Sequence, residues 1–257
     1  MKTQICFLLT VAVVATVSSP LRHANAAPAN APVTAESLRK GLVLDLTFDR
    51  DETGNNKVTD TSGQGNNGKA SGVRWTAGAK RGGAYEFTAD GDEIVVSNNA
   101  TLNPKHLTLA AWIKTTTKDA IWRRIFDKSY SKGYALGIAG DWQQHNWRGR
   151  VSLEMGPGTH FILSKSDVTD GQWHQVVSTF DGTVEMLYVD GQPEAELHWD
   201  HPGQAGATDF NLVIGCNRSN LTEDDLGTSF RGVIDEPMVW NRALSAREAA
   251  FLYQSQP

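Results

Sequence analysis

The sequence predicts an all-β protein, an antiparallel sandwich or barrel, that ends in one short helix. Three observations predict it. About a dozen short apolar runs recur at roughly 8–12-residue spacing, the pattern of short antiparallel strands. Turn dipeptides such as Asp170-Gly171, Asp181-Gly182 and Asp190-Gly191 stand between them, residue types that suit tight connections. Helical period is nearly absent before Ser245, where Ser245 and Glu248 have the spacing of a reciprocal N-terminal cap.

At the start of the chain Lys2 precedes an apolar run from Ile5 to Val17, and Ala24-Asn25-Ala26 supplies the small residues read by a signal peptidase. Residues 1–26 therefore read as a secretory signal peptide cleaved after Ala26. The run is shorter than the roughly 20 residues needed to cross a bilayer. No membrane insertion is expected, and the product is expected to be extracellular or periplasmic. Removing 26 of 257 residues leaves 231, enough for one large β-domain. The remainder carries 22 basic and 29 acidic residues, −7 with neutral histidines, which argues against nucleic acid or anionic membrane as the main partner. Cys216 is the one cysteine left, so no internal disulfide supports the domain. Behind Leu212, Val213 and Ile214, it reads as a buried thiol.

Residues 27–40, rich in Ala and Pro, read as a flexible lead-in, and residues 41–257 as the domain. Leu42, Leu44, Leu46 and Phe48 alternate with other residues at the period of a half-buried strand. Thr59 to Gly68 offers almost nothing to a core and reads as a long loop. The runs at 82–87 and 93–96 read as a hairpin around Asp90-Gly91-Asp92. Leu107 to Lys114 is the strongest candidate for a central strand. Further runs lie at 125–128, 134–139, 151–155, 161–165, 173–180, 184–189 and 211–216. In the last strand Pro237 lacks an N–H for the ladder, which predicts a bulge or an edge position.

Four segments in order resemble laminin-G-like jelly-roll domains, the broad family related to concanavalin A-like lectins, pentraxins and glucanases. They are Leu46-Thr47-Phe48-Asp49 with Asp60-Thr61-Ser62-Gly63, Gly82-Gly83-Ala84-Tyr85-Glu86-Phe87, Trp173-His174 with Tyr188-Val189-Asp190-Gly191, and the stretch from Phe230 through Asp235-Glu236 to Asn241-Arg242-Ala243-Leu244-Ser245. The resemblance spans about Gly41 to Tyr253 and implies a two-sheet antiparallel jelly-roll sandwich with a short C-terminal helix. It also implies one calcium ion on a rim or edge. Asp49, Asp60, Ser62 and Asp235 are the candidate ligands, since calcium takes six to eight oxygens. The alternative is that Asp60 and Ser62 only brace their loop while Asp235 pairs with a nearby arginine.

Aromatic residues gather between Ala120 and Arg150. Trp122, Tyr130, Trp142 and Trp147, with Gln144 and Arg148 among their polar neighbours, form the candidate ligand site. Indole faces pack on sugar C–H faces while amides and guanidinium groups bond the hydroxyls. A loop folding its tryptophans onto the sandwich edge is the competing reading. His174, in a strand beside Val176 and Val177, reads as structural. No catalytic residue is assigned. Glucanases of this sandwich alternate carboxylates along one strand, whereas Asp235 and Glu236 are adjacent and point to opposite faces. The sequence thus points to an exported, non-catalytic module for an extracellular glycan or glycoprotein, with calcium as a structural ion. A protein-adhesion module and a glycan hydrolase or lyase with an unrecognised acid pair are the alternatives.

Overall fold

The computed structural model describes residues 32–156, 160–217 and 228–255. The expected signal peptide lies outside them. No helix among the described residues is long and apolar enough to cross a membrane. In chain order the strands are β1 (Leu42–Asp45), β2 (Lys57–Val58), β3 (Gly68–Ser71), β4 (Arg74–Thr76), β5 (Ala84–Phe87), β6 (Glu93–Val96), β7 (Leu107–Lys114), β8 (Arg123–Lys128), β9 (Tyr134–Ile138), β10 (Asp141–Trp142), β11 (His145–Asn146), β12 (Arg150–Met155), β13 (His160–Asp167), β14 (Trp173–Phe180), β15 (Val184–Val189), β16 (Gln192–His198), β17 (Leu212–Ile214) and β18 (Gly232–Trp240). Two helices flank them, α1 (Ala35–Arg39) and α2 (Ala246–Ser255).

All but β10 and β11, which pair only with each other, form two antiparallel sheets, as expected for a jelly-roll sandwich. The first runs β16-β15-β14-β7-β18-β5-β4, with β1 also on β18, and the second runs β13-β12-β9-β8-β17-β6-β3-β2. Period-two alternation explains the layering. Leu109, Ala111 and Ile113 of β7 face Leu136, Leu153 and Ile214 across one continuous core. The opposite face of the first sheet is apolar as well, and the helices cover it. Ala110, Val177, Tyr188, Met238 and Trp240 pack with Leu38 of α1 and with Ala249 and Leu252 of α2. That leaves the outer face of the second sheet as the one without a helical cover.

Two expectations change in detail, and the structure chooses between the two positions expected for Pro237. The stretch ending the lead-in is helical from Ala35, with a Thr34–Ser37 capping box, and Trp240 Nε1 donates to Leu38 O at 2.6 Å. A five-residue helix is too short to show a period in sequence. The runs at 82–87 and 93–96 do not pair as a hairpin. β5 pairs with β18 and β4, whereas β6 pairs with β3 and β17. The Asp92 carboxylate accepts from Thr88 N at 2.6 Å and Ala89 N at 2.7 Å, turning the chain from one sheet into the other. Pro237 sits in a bulge, where the β18–β7 register shifts between Asp235 and Met238, and not at an edge, because β18 is paired on both sides. The bulge places Glu236 at φ 48°. β1 pairs with β18 beyond it and β5 before it.

The cap of α2 is as the sequence predicts: Ser245 N donates to Glu248 Oε2 at 2.8 Å, and Glu248 N donates to Ser245 Oγ at 3.3 Å. Cys216 is buried. His174 lies between Asp190 (2.8 Å) and Asp170 (3.1 Å), and chiefly its hydrogen bond to Asp190 raises its pKa. Those contacts fit the structural reading of this histidine.

Candidate functional site

The outer face of the second sheet, on which neither helix packs, has a floor of small residues. On β9, Tyr134, Leu136 and Ile138 enter the core, so Ala135 and Gly137 face outward. Ala135 lies opposite Asp127 of β8 and Glu154 of β12, and Gly137 lies opposite Arg124 and Ser152. Glu154 in turn faces Phe161 of β13. Large side chains on β8, β12 and β13 therefore stand around a low centre strand.

At one end of this face the aromatic rings collect. Trp122 meets Trp147 edge-on at 6.3 Å and Phe161 at 5.7 Å, and Trp147 lies 5.3 Å from Phe161. His145 stacks on Trp147 with ring centroids 5.0 Å apart and planes 3° from parallel. Trp122, Trp147 and Phe161 are only half-buried, so the cluster keeps aromatic surface at the solvent boundary. Trp142 stands beside it, paired with His145 across the β10–β11 hairpin and 41% exposed.

Local bonds fix this hairpin. Arg148 donates to both oxygens of Asp141, at 2.8 and 2.6 Å, a bidentate geometry that sets orientation as well as contact. That contact lowers the Asp141 pKa and raises that of Arg148. Trp122 Nε1 donates to Asp141 O at 3.1 Å, and Asp141 N donates to Ala120 O at 2.9 Å. Gly140 is required here, because a Cβ at that position would lie 2.2 Å from Ala120 O. Gln143 turns the hairpin in the left-handed region at φ 54° without being glycine, a conformation that costs on the order of 1 kcal/mol.

Of the residues the sequence suggested, the structure packs Trp122 against Trp147 and sets Trp142 on the adjoining hairpin opposite His145, with Gln144 exposed in the hairpin turn. Arg148 braces the hairpin. Tyr130 lies beyond the opposite end of β8, where the Arg124 guanidinium sits 5.0 Å above its ring. Sequence reasoning missed Phe161, and missed His145 as a stacking partner, because strand pairing sets both contacts.

Arg124 organises the middle of the face. It ion-pairs with Glu154 and lies 3.6 Å from Asp127, and all three side chains are buried. Burial works against the Arg124 charge, but the two carboxylates outweigh it and raise its pKa. Two carboxyls thus share one face of the sheet, and both are engaged by the same arginine.

The four candidate metal ligands divide into two groups. Asp60 accepts from Asp45 N, Ser62 N, Ser62 Oγ and Asn66 N at 2.8–3.0 Å, so Asp60 and Ser62 brace their own loop. Asp49 and Asp235 are in a different place, beside the β18 bulge. Gly82, at φ 56°, packs so closely that a Cβ there would fall 1.7 Å from Asp49 Oδ1. Asp235 is fully buried and accepts from Arg81 N at 2.9 Å and Glu236 N at 2.8 Å. Burial pushes Asp235 up to about 7, and burial with Asp235 and Asp45 nearby pushes Glu236 up to about 8. Asp45 is also raised, mainly by burial. Asp45, Asp49, Arg81 and Glu236 line a cavity of about 690 Å³. The oxygen chemistry suits a hard cation. Among the described residues, however, no three His, Cys, Asp or Glu side chains form a ready-made metal cage.

A segment 24% identical over 176 residues occurs in pappalysin-1 of Mus musculus, covering 64% of this chain and 11% of that protein, so the chain spans about a tenth of that relative's length. The binding domain of Paraclostridial Mosquitocidal Protein 1 superposes with a TM-score of 0.66 at 15% identity, over 85% of this chain and 53% of that one. Domain 4 of AbnA, a GH43 extracellular arabinanase from Geobacillus stearothermophilus solved in complex with arabinotriose, gives 0.61 at 16% identity, over 83% and 98%. At such identities the structural likenesses establish the fold. The family model for the concanavalin A-like lectin/glucanases superfamily matches residues 88–250. That match spans β6 to β18, which include the strands of the aromatic face and the bulged β18, and the chain belongs to this laminin-G-type family.

Proposed function

We propose that this chain is a secreted, non-catalytic binding domain for extracellular glycans or glycoproteins. The observation that carries the reading is Trp142, 41% exposed on a braced hairpin beside the half-buried Trp122–Trp147–Phe161 cluster. Rings held at the surface among Gln144, Asn146 and Asp141 present C–H-stacking faces and hydroxyl partners together. The arabinotriose complex of the AbnA domain supports the class of ligand. Secretion rests on the sequence of residues 1–26. The test is binding of a polysaccharide panel to the wild type and to Trp142→Ala and Trp147→Ala. Each substitution should weaken the glycan that binds at least tenfold, about 1.4 kcal/mol. Unchanged affinity in both variants would refute the aromatic site.

Calcium belongs to the same proposal as a structural ion at the bulge, held by Asp49 and Asp235 with Glu236 alongside. Asp235 and Glu236, buried and with raised pKa values, gain from a divalent neighbour. A melt in calcium should lie above one in EDTA, by about 2.7 kcal/mol of stability at a hundredfold excess over Kd. Asp49→Ala and Asp235→Ala should each abolish the difference, and identical wild-type melts would remove calcium from the reading.

One observation favours the adhesion alternative. Ile121, 42% exposed, stands in the loop that bonds the hairpin of Trp142, which makes a small apolar patch suited to a protein surface. A hydrolase or lyase would need Asp127 and Glu154 released from Arg124. It predicts new reducing ends on incubation with the bound glycan.

A further inference from the structure

Beside the aromatic cluster is a second, separate concentration of chemistry. Lys118, Asn146, Arg148, Arg150, Lys165 and Asp167 line a cavity of about 360 Å³. Four cations and one carboxylate meet there, in a chain whose net charge is −5. Asp167 is already engaged. It ion-pairs with Lys118 and accepts from Thr169 N at 2.9 Å and from Thr169 Oγ1, and despite the opposing effect of burial these contacts lower its pKa. Arg148 is oriented by Asp141.

Arg150 and Lys165 are exposed, and no side-chain hydrogen bond or ion pair engages either among the described residues. Glu194 lies near enough to Lys165 to feel its charge, but its oxygens accept from Lys165 N, Ser166 N and Ser166 Oγ. Asn146 accepts from Arg148 N through Oδ1, which leaves its amide nitrogen as a donor. The cavity is therefore rich in donors and poor in acceptors. A neutral sugar, whose hydroxyls both donate and accept, is poorly matched to such a lining. A carboxylate or sulfate only accepts and suits it.

Position ties the cavity to the aromatic site. Arg150 shares the outer face of β12 with Ser152 and Glu154, and Glu154 is opposite Phe161 of the aromatic cluster. Asn146 and Arg148 flank Trp147 in the chain. We propose that this cavity is an anion subsite of the glycan site, and that the saccharide bound carries acidic substituents, uronate carboxylates or sulfate esters. The inference rests on the aromatic reading above: the rings take the sugar face, and Arg150 and Lys165 take the acid group.

The experiment compares the full chain's affinity for polygalacturonate and for its methyl-esterified form, and for dextran sulfate and dextran, with polyglutamate as a polyanion that is not a sugar. At least one acidic polymer should bind ten times more tightly than its neutral counterpart. A preference for polygalacturonate assigns the carboxylate, and one for dextran sulfate assigns the sulfate ester. Arg150→Ala with Lys165→Ala, both at exposed positions, should erase that advantage and leave the melting temperature and the neutral-polymer affinity in place. Equal binding of charged and neutral forms, an unaffected double variant, or equally tight binding of polyglutamate would each overturn the proposal. If acid discrimination survives Trp147→Ala at full strength, the anion subsite stands and the aromatic reading falls.

Discussion

Replacing Arg124 with methionine should destabilise the domain by about 3–5 kcal/mol, the range for breaking a buried ion pair from one side. The side chains of Arg124, Asp127 and Glu154 are all buried on the outer face of the second sheet. Methionine can fill much of the volume, but it leaves two carboxylates without their cation in a low-dielectric site. Combining Arg124→Met with Glu154→Gln should cost less than the two changes added separately, because the second removes one of the stranded charges, and coupling of 0.5–3 kcal/mol is typical of contacting residues. Urea unfolding of the three variants supplies the cycle. A loss below about 1 kcal/mol for Arg124→Met would mean that solvent reaches these carboxylates and that the triad does not organise the face.

Glu185 should make stability fall as pH rises, the reverse of the usual carboxylate. It is fully buried on β15 beside core residues such as Leu187, and its Oε1 accepts from Trp199 Nε1 at 2.6 Å. Oε2 has no hydrogen-bond partner among the described residues. Burial pushes this carboxyl from 4.5 up to about 7. The folded state thus holds the proton more tightly than the unfolded one. The resulting stability is fully present below pH 4.5 and is lost as pH climbs through 7. At about 1.4 kcal/mol per pH unit, the shift corresponds to roughly 3 kcal/mol.

Glutamine keeps an acceptor for Trp199 and cannot ionise. Glu185→Gln should therefore match the wild type near pH 4.5 and exceed it by up to about 3 kcal/mol at pH 8. Asp235 and Glu236 are shifted in the same sense, so the diagnostic quantity is the difference between variant and wild type measured at both pH values by urea unfolding. A difference that stays flat with pH would show that Glu185 ionises freely in the folded protein.

Particular residues show how much of this was legible in advance. Ser245 and Glu248 announced the start of α2 because a cap is a local bond between residues three apart. Pro237 announced a bulge or an edge because a missing N–H is a local fact, and the pairing of β18 on both sides decided for the bulge. The short apolar runs at Leu42–Leu46 and Leu107–Lys114 announced strands by their length and flanking turns, and both strands are buried on both faces. α1 stayed hidden, since its one buried residue, Leu38, makes no pattern. β16 stayed hidden because Gln192–His198 is a polar edge strand containing Pro193.

The candidate site divides along the same line. Composition between Ala120 and Arg150 was enough to gather Trp122, Trp142 and Trp147, and the Asp-Glu of β18 drew attention to Asp235. That Phe161 completes the rings, that Arg124 binds Asp127 and Glu154 at once, and that Arg150 and Lys165 line one cavity all depend on the order β13-β12-β9-β8. By itself the sequence determined the class of fold, its family and the aromatic, acidic character of its surface, because periodicity, capping and turn chemistry act over a few residues. Only the tertiary structure decided which charges meet, since the partners lie on strands many residues apart and register alone brings them onto one face.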